Sequence, residues 1–164
     1  MKKIRVATKE EMIEIYKMGY DVWGDNLPYE DYITMCQASK KYKEGTWYVL
    51  EATDTNQLLS SLIVYKLNLS EDQIVKGIGS IATPLYLRKK GYASLLVEAT
   101  INKLEQEEKC NNFFLYSDIG IEFYEGLGFI ALPNDSQKYK TSVCMYYSKE
   151  NDIDSISLDI PDYF

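Results

Sequence analysis

The chain has 164 residues and a hydrophobic fraction of 46%, which suits one domain with a single core. It contains no histidine, which excludes Ser-His-Asp and Cys-His catalysis and most transition-metal sites, so we expect no metal. The net charge is −7, but residues 150–164 hold five acids and no base, and the remaining near-neutral body has no basic stripe that would indicate nucleic-acid binding.

The cysteines and the lengths of the apolar runs indicate the cellular compartment. Cys36, Cys110 and Cys144 are scattered, which is typical of reduced thiols and not of a disulfide framework. No apolar run is long enough to span a bilayer. The N-terminal residues enter an alternating pattern without the apolar h-region of a signal peptide. We therefore expect no membrane partner and a cytoplasmic location.

Hydrophobic periodicity and turn residues divide the chain into strands and helices. In chain order, the pattern predicts a strand at 3–7, helices after Thr8 and from Pro28 to Gly45, strands at 46–53, 58–67 and 74–83, a helix over 92–108, a strand at 113–117, a helix over 119–127, and strands at 129–132 and 141–148. Thr8 and Glu11 have capping-box spacing for the first helix. This mixed order predicts an α+β fold with helices on a largely antiparallel sheet.

The strongest functional signal is the stretch from Ile78 to Ala93. A strand ends there, a turn rich in backbone donors follows, and a helix begins at Gly91. Free N–H groups and the helix dipole at such a point attract anions. Arg88, Lys89 and Lys90 add positive charge, and Gly91 lets the backbone approach a phosphate closely. The pattern therefore predicts a phosphate site.

Two motifs carry a family resemblance. Arg88-x-x-Gly91-x-Ala93 resembles the Q/R-x-x-G-x-G/A pyrophosphate loop of the GNAT superfamily of acyl-CoA-dependent N-acetyltransferases. Tyr124-Glu-Gly-Leu-Gly128-Phe129 resembles the family's Y-x-x-x-G-F signature and follows a buried strand, as the family order requires. The resemblance is detailed over residues 74–132. It implies a mixed sheet flanked by helices with a splay between the fourth and fifth strands, acetyl-CoA as co-substrate, and direct transfer of acetyl to a primary amine.

The resemblance also implies which residues bind the cofactor. The backbone of Ile81, Ala82 and Thr83, at the end of the fourth strand, is expected to pair with the pantetheine amides. The pyrophosphate is expected to bind the main-chain amides of Arg88, Lys89, Lys90, Gly91, Tyr92, Ala93 and Ser94. Ser117 lies where the family often has a cofactor-contacting asparagine. Because serine is shorter, that contact is expected to be lost or mediated by water.

Tyr124 is the predicted general acid, since a phenol of pKa about 10 can protonate the departing thiolate. A backbone N–H near Ile81 is expected to stabilise the negative carbonyl oxygen. An alkylamine is only about 0.1% neutral at pH 7, so its proton needs an acceptor. The fourth strand contains no carboxylate. Glu51, Asp118 and a chain of water molecules remain as candidates for the proton acceptor.

The acceptor is expected to be a small-molecule or peptide amine. The acidic surface favours a cationic one, such as a polyamine, an aminoglycoside or a lysine. The Asp21–Tyr32 segment is the expected rim of the acceptor site. Six aromatic residues are candidates for its lining: Trp23, Tyr29, Tyr32, Trp47, Tyr48 and Tyr146.

The acidic tail, residues 150–164, follows the predicted acetyltransferase domain of residues 1–149. An acidic chain end is expected to be disordered by default, but the alternation at Ile156, Leu158 and Ile160 favours packing on the body or on a partner subunit, which leaves a homodimer open.

Two functions fit these patterns. The first is an active N-acetyltransferase, which the presence of Tyr124 favours. The second is a non-catalytic acyl-CoA sensor or regulatory module, which the missing fourth-strand carboxylate keeps open. An interaction domain without a ligand would require both motifs to be accidental.

Overall fold

The computed structural model describes residues 1–150 and 159–164, and the elements named below are those of this part. The strands are β1 (Lys2–Val6), β2 (Thr46–Ala52), β3 (Gln57–Leu67), β4 (Val75–Ala82), β5 (Asn112–Ser117), β6 (Ile130–Ala131) and β7 (Val143–Ser148). The helices are α1 (Met12–Met18), α2 (Tyr20–Trp23), α3 (Tyr29–Ala38), α4 (Lys40–Glu44), α5 (Tyr92–Glu108) and α6 (Glu122–Glu125).

The seven strands form one mixed sheet in the order β1-β2-β3-β4-β5-β7-β6. The pairs β1–β2, β2–β3, β5–β7 and β6–β7 are antiparallel, whereas β4 and β5 are parallel. The parallel pairing runs from Val75 opposite Asn112 to Gly77 opposite Phe114, and the two strands splay beyond it. The α+β fold and the splay between the fourth and fifth strands are therefore confirmed.

Two predicted helices were wrong in extent. The helix predicted from Pro28 to Gly45 is interrupted at Ser39, which is extended (ψ 117°) and whose side chain accepts a hydrogen bond from the Tyr42 amide to begin α4. The helix predicted over 119–127 is confined to α6. Gly120 has a φ of 96°, in the left-handed region, and this breaks the helical path before α6 begins.

The chain divides into two compact units, and the first comprises Met1–Val64 and Ser80–Thr100. Its helical part packs around buried Tyr32, Ile33 and Cys36, against which further aromatic side chains lie. The N-terminal end of this helical part is ordered by a hydrogen bond from the Thr8 amide to Glu11, at 2.8 Å, as the capping-box spacing predicted.

The second unit comprises Tyr65–Gly79 and the described part of Ile101–Phe164. Its core contains a cluster of Val75, Phe114, Cys144 and Tyr146. Ile160 and Phe164 pack against this cluster, together with Leu67, Leu69, Tyr116 and Leu132. Of the tail alternation, Ile156 and Leu158 lie outside the described residues, whereas Ile160 lies within them.

Within residues 1–150 and 159–164, no helix has both the length and the apolar composition needed to cross a membrane. The same residues contain no group of three or more Cys, Asp or Glu side chains arranged to hold a metal ion.

Candidate active site

The first unit contains the predicted phosphate loop at the start of α5. The loop leaves β4 through Pro84, makes one short turn over Leu85–Leu87, and reaches α5 after Lys89 (φ 62°) and Gly91 (φ 78°). The Leu95 amide donates to the Gly91 carbonyl at 3.0 Å, which is the first turn of the helix. The amides before Leu95 in this turn have no intrahelical carbonyl to bind, because the helix does not extend further back. They are therefore suited to donate to an external anion.

Gly91 is open to solvent on the side where a side chain would project. A Cβ atom built there would meet nothing within 4 Å, and its left-handed backbone is one that L-residues rarely adopt. Lys89 and Lys90, which directly precede Gly91, are exposed. The loop therefore offers backbone donors, positive charge and room for close approach, and these features fit a diphosphate.

Arg88 has a different role from its lysine neighbours. Its guanidinium donates to both carboxylate oxygens of Asp21 at 2.7 Å, and its Nε donates to the Thr83 carbonyl at 2.9 Å. The hydrogen bonds from Arg88 lower the pKa of the Asp21 carboxyl. Arg88 thus ties α2 and the end of β4 to the loop, while part of its charge is neutralised by Asp21.

The end of β4 is irregular where the pantetheine is expected. Ser80 has a φ of 45°, a conformation found at β-bulges, and Gly79, Ser80 and Ile81 are all half-buried, which breaks the alternation of the strand. Ala82 and Thr83 are buried, and the Ser60 hydroxyl donates to the Ala82 carbonyl at 2.8 Å. Of these three positions, Ile81 is therefore the one that is half-buried and not fully buried.

Tyr124 lies in the second unit, in α6. It is only 8% exposed and packs edge-to-face against Phe123 and Phe129. The Phe129 amide donates to the Tyr124 carbonyl at 3.1 Å, which closes the turn on which both signature residues lie. Burial, with a further contribution from the charge of Asp118, raises the pKa of Tyr124 to about 12. Its hydroxyl has no hydrogen-bond partner among the described residues.

Asp118 follows β5 in the same unit and is exposed. Its carboxylate accepts hydrogen bonds from the hydroxyls of Ser142 and, at 3.0 Å, Tyr163. The neighbouring Ser117 side chain is buried and donates to the Gly120 carbonyl, so its hydroxyl supports the loop that leads to α6.

Glu51 lies on β2 in the first unit and is engaged in an ion-pair network. Arg5 Nε donates to Glu51 at 2.8 Å, and the same guanidinium contacts Glu11 at 2.6 Å. The hydrogen bond from Arg5 to Glu51 lowers the pKa of the Glu51 carboxyl. A carboxylate held this way is a weak proton acceptor.

The family follows from a match over most of the chain. A family model described as an acetyltransferase (GNAT) domain matches residues 3–131. The chain belongs to the GNAT acetyltransferase family. It is an N-acetyltransferase, and its acetyl donor is acetyl-CoA.

Solved structures share the GNAT fold at low sequence identity. A chimera of the Vibrio cholerae spermidine N-acetyltransferase SpeG with hSSAT is 10% identical, with a TM-score of 0.69 over 91% of this chain and 96% of the other. A chain of the NatC complex bound to Gag peptide and CoA is 17% identical, with a TM-score of 0.63 over 90% and 98%. No curated protein matches the GNAT chain.

The aromatic residues predicted for the acceptor site of this GNAT protein have different environments. Tyr32, Trp47, Tyr48 and Tyr146 are buried core residues, whereas Tyr29 is half-buried and Trp23 is 37% exposed. In the predicted rim, Asp25 and Asn26 both have left-handed backbones, and Tyr20 donates to the Leu27 carbonyl at 2.6 Å. Trp23 and Tyr29 are the members of the set with surface available to a ligand.

Three residues make polar contacts with candidate site residues that the sequence did not predict. They are Asp21, which binds Arg88, and Ser142 and Tyr163, which bind Asp118. Asp21 and Arg88 are 67 positions apart, and Tyr163 is 45 positions from Asp118. Only the tertiary fold pairs them.

Proposed function

We propose that this GNAT protein transfers acetyl directly from acetyl-CoA to a primary amine, with Tyr124 as general acid and Asp118 as proton acceptor. In the transfer, the amine nitrogen bonds to the acetyl carbon and the carbon–sulfur bond breaks, with its electron pair going to sulfur. The chain must therefore hold the cofactor, stabilise negative charge on the carbonyl oxygen, give a proton to sulfur and take one from nitrogen.

The loop from Arg88 to Ser94 would hold the diphosphate through its main-chain amides, and Ile81 to Thr83 would pair with the pantetheine. The left-handed Gly91 and the open space above it support the first assignment. The second is supported by the left-handed backbone of Ser80 and the half-burial of Ser80 and Ile81, because an amide turned out of the regular strand could donate to the carbonyl oxygen.

Tyr124 would donate its proton to the departing sulfur. The raised pKa keeps the phenol protonated at neutral pH, which a general acid requires. The observation that carries this proposal is the Tyr124 side chain itself, whose ring is packed between Phe123 and Phe129 while its hydroxyl makes no hydrogen bond within the described residues. A phenol held by its ring, with a hydroxyl not engaged by the protein, is available to donate to a ligand.

Asp118 would accept the amine proton. Of the two carboxylates predicted for this task, Glu51 is paired with Arg5 and has a lowered pKa, whereas the hydrogen bonds to Asp118 come from neutral hydroxyls. Asp118 is also exposed and therefore accessible to an amine or to a water molecule that carries its proton.

The acceptor we propose is a cationic amine, on the strength of the acidic net charge of −7. Spermidine and a peptide appear in the names of the structural relatives, and these supply two amines for a first test. A lysine amide completes a panel of three cationic acceptors.

The test is release of free thiol from acetyl-CoA with each panel amine and with none. We expect amine-dependent release, and Tyr124→Phe should lower kcat by about 10²-fold with CoA affinity unchanged. Tyr147→Phe is the matched control, because its ring also packs on Phe129, and it should keep most of the activity. Unchanged kcat in Tyr124→Phe, with chemistry rate-limiting, would remove the acid role. CoA binding without any acetylation would favour the sensor function.

A further inference from the structure

Residues 159–164, hereafter the 159–164 segment, contact the residue proposed to accept the amine proton. We propose that Tyr163 is a positioning residue that holds the Asp118 carboxylate in the orientation needed for acetyl transfer. The proposal rests on the proposed function, because it assumes that Asp118 takes the proton of the acceptor amine.

The segment is anchored by the ring of Phe164. This ring packs edge-to-face against Tyr65 and Tyr116, at centroid distances of 5.7 and 5.8 Å. It also covers Gly77 on β4, where a Cβ atom would lie 2.6 Å from two ring carbons. Glycine at this position is therefore what allows the ring to lie against the strand. The same glycine is part of the stretch of β4 in which no carboxylate occurs.

Polar contacts fix the backbone of the segment beside the ring. The Tyr116 hydroxyl donates to the Pro161 carbonyl at 2.5 Å, and Lys138 Nζ donates to the Ile160 carbonyl at 2.7 Å. The Tyr163 amide donates to the Tyr139 hydroxyl at 3.0 Å. The Tyr163 ring itself packs against the rings of Tyr116 and Tyr139, at centroid distances of 5.3 and 6.0 Å, and these contacts restrict the direction of its side chain.

The Tyr163 hydroxyl consequently reaches Asp118. It donates to Oδ2 at 3.0 Å, while the Ser142 hydroxyl donates to Oδ1. Each carboxylate oxygen accepts one hydrogen bond and keeps a lone pair for another donor, so the group is oriented without being saturated. An exposed aspartate without such partners would rotate freely about its side-chain bonds.

The hydrogen bond from Tyr163 to Asp118 also relates the segment to Tyr124, the proposed acid. Asp118 is close enough to Tyr124 for its charge to contribute to the raised pKa of the phenol. The 159–164 segment, although distant in sequence from both motifs, is thereby connected to the proposed chemistry through a single hydrogen bond.

A double-mutant cycle distinguishes positioning of the Asp118 carboxylate by Tyr163 from a general structural role of Tyr163. The variants are Tyr163→Phe, Asp118→Asn and the double variant, each assayed as full chains for kcat/KM with the best amine of the spermidine, peptide and lysine amide panel. We expect Tyr163→Phe to lower kcat/KM for the amine by about fivefold, as for loss of one exposed hydrogen bond to a charged group, with the KM for acetyl-CoA unchanged. The double variant should be no slower than Asp118→Asn alone.

Asp162→Asn is the control, since Asp162 lies in the same segment with a side chain that is 85% exposed and pairs with Lys138. It should behave as the wild type. The inference would be overturned if the losses in kcat/KM from Tyr163→Phe and Asp118→Asn multiplied in the double variant. It would also be overturned if Tyr163→Phe kept the wild-type kcat/KM, or if Asp162→Asn lost as much as Tyr163→Phe. Wild-type chain that binds CoA but acetylates no panel amine would instead overturn the proposed function, and the inference with it.

Discussion

The proposed phosphate loop of the first unit and the proposed Tyr124 region of the second would use different atoms for their tasks. In the proposed loop, the donors are main-chain amides of one continuous stretch at the start of α5, where Gly91 has a left-handed backbone. In the Tyr124 region, the hydroxyls of Ser142 and Tyr163 bind Asp118, and the charge of Asp118 acts on the Tyr124 phenol. A backbone site should tolerate changes of side chain but not of dihedral angle, and a side-chain site should behave in the opposite way.

The largest effect that distinguishes the two regions is expected for Gly91→Val. A β-branched residue is strained at a φ of 78°, and its methyl groups would occupy the open space that the diphosphate needs. The KM for acetyl-CoA should rise at least tenfold, which corresponds to about 1.4 kcal/mol or more of backbone strain or lost contact. Gly91→Ala should give a smaller rise. Steady-state kinetics at saturating amine would measure both, and an unaffected KM in Gly91→Val would argue that the amides do not bind the cofactor.

A smaller effect is expected for Arg88→Lys. Lysine keeps the charge but loses the paired hydrogen bonds to Asp21 and the bond to the Thr83 carbonyl. Because this ion pair is partly exposed, we expect about threefold weaker CoA binding and a loss of about 1 kcal/mol or less in the free energy of unfolding. Lys90→Gln, which removes an exposed charge and no such contact, is the comparison. If Lys90→Gln weakened binding more than Gly91→Val did, charge and not backbone geometry would be the main determinant.

The smallest effect concerns pH, and here the expected result is no change. An acid with a pKa near 10 would lose about three quarters of its protonated form by pH 10.5. Burial raises the pKa of Tyr124 to about 12, so its proton is retained throughout that range. With both substrates saturating, kcat should not fall between about pH 8 and 10.5. A reversible fall centred near 10 would indicate an ordinary tyrosine or another group as the acid.

The contrast between the two regions also explains what the sequence could predict. Strands and the long helix α5 follow from hydrophobic periodicity, and the phosphate loop follows from a basic turn with glycine before a helix. These signals are local, since the residues that act together are neighbours in the chain. The sequence did not predict the interruption of the helix that follows Pro28. A serine acts as a helix cap only where its backbone leaves the helical region, and the residue type of Ser39 does not show this by itself.

The remaining site residues depend on contacts across long separations. The sequence left Glu51, Asp118 and water as alternatives for the proton acceptor, and the difference between the carboxylates arises from Arg5 on another strand. The contact of Phe164 with Gly77 and that of Tyr163 with Asp118 likewise follow from tertiary packing. Periodicity assigns a residue to a face of an element, but it does not identify the partner that the fold brings to that face.

The central claim is that main-chain amides bind the cofactor while the Tyr124 side chain takes part in the chemistry. Its most direct test is calorimetric titration of CoA into three proteins. These are the wild type, Gly91→Val and Tyr124→Phe. We predict clear binding to the wild type, the same affinity within about twofold for Tyr124→Phe, and at least tenfold weaker binding for Gly91→Val. Absence of CoA binding to the wild type at millimolar concentration, or an equal loss in both variants, would contradict the account.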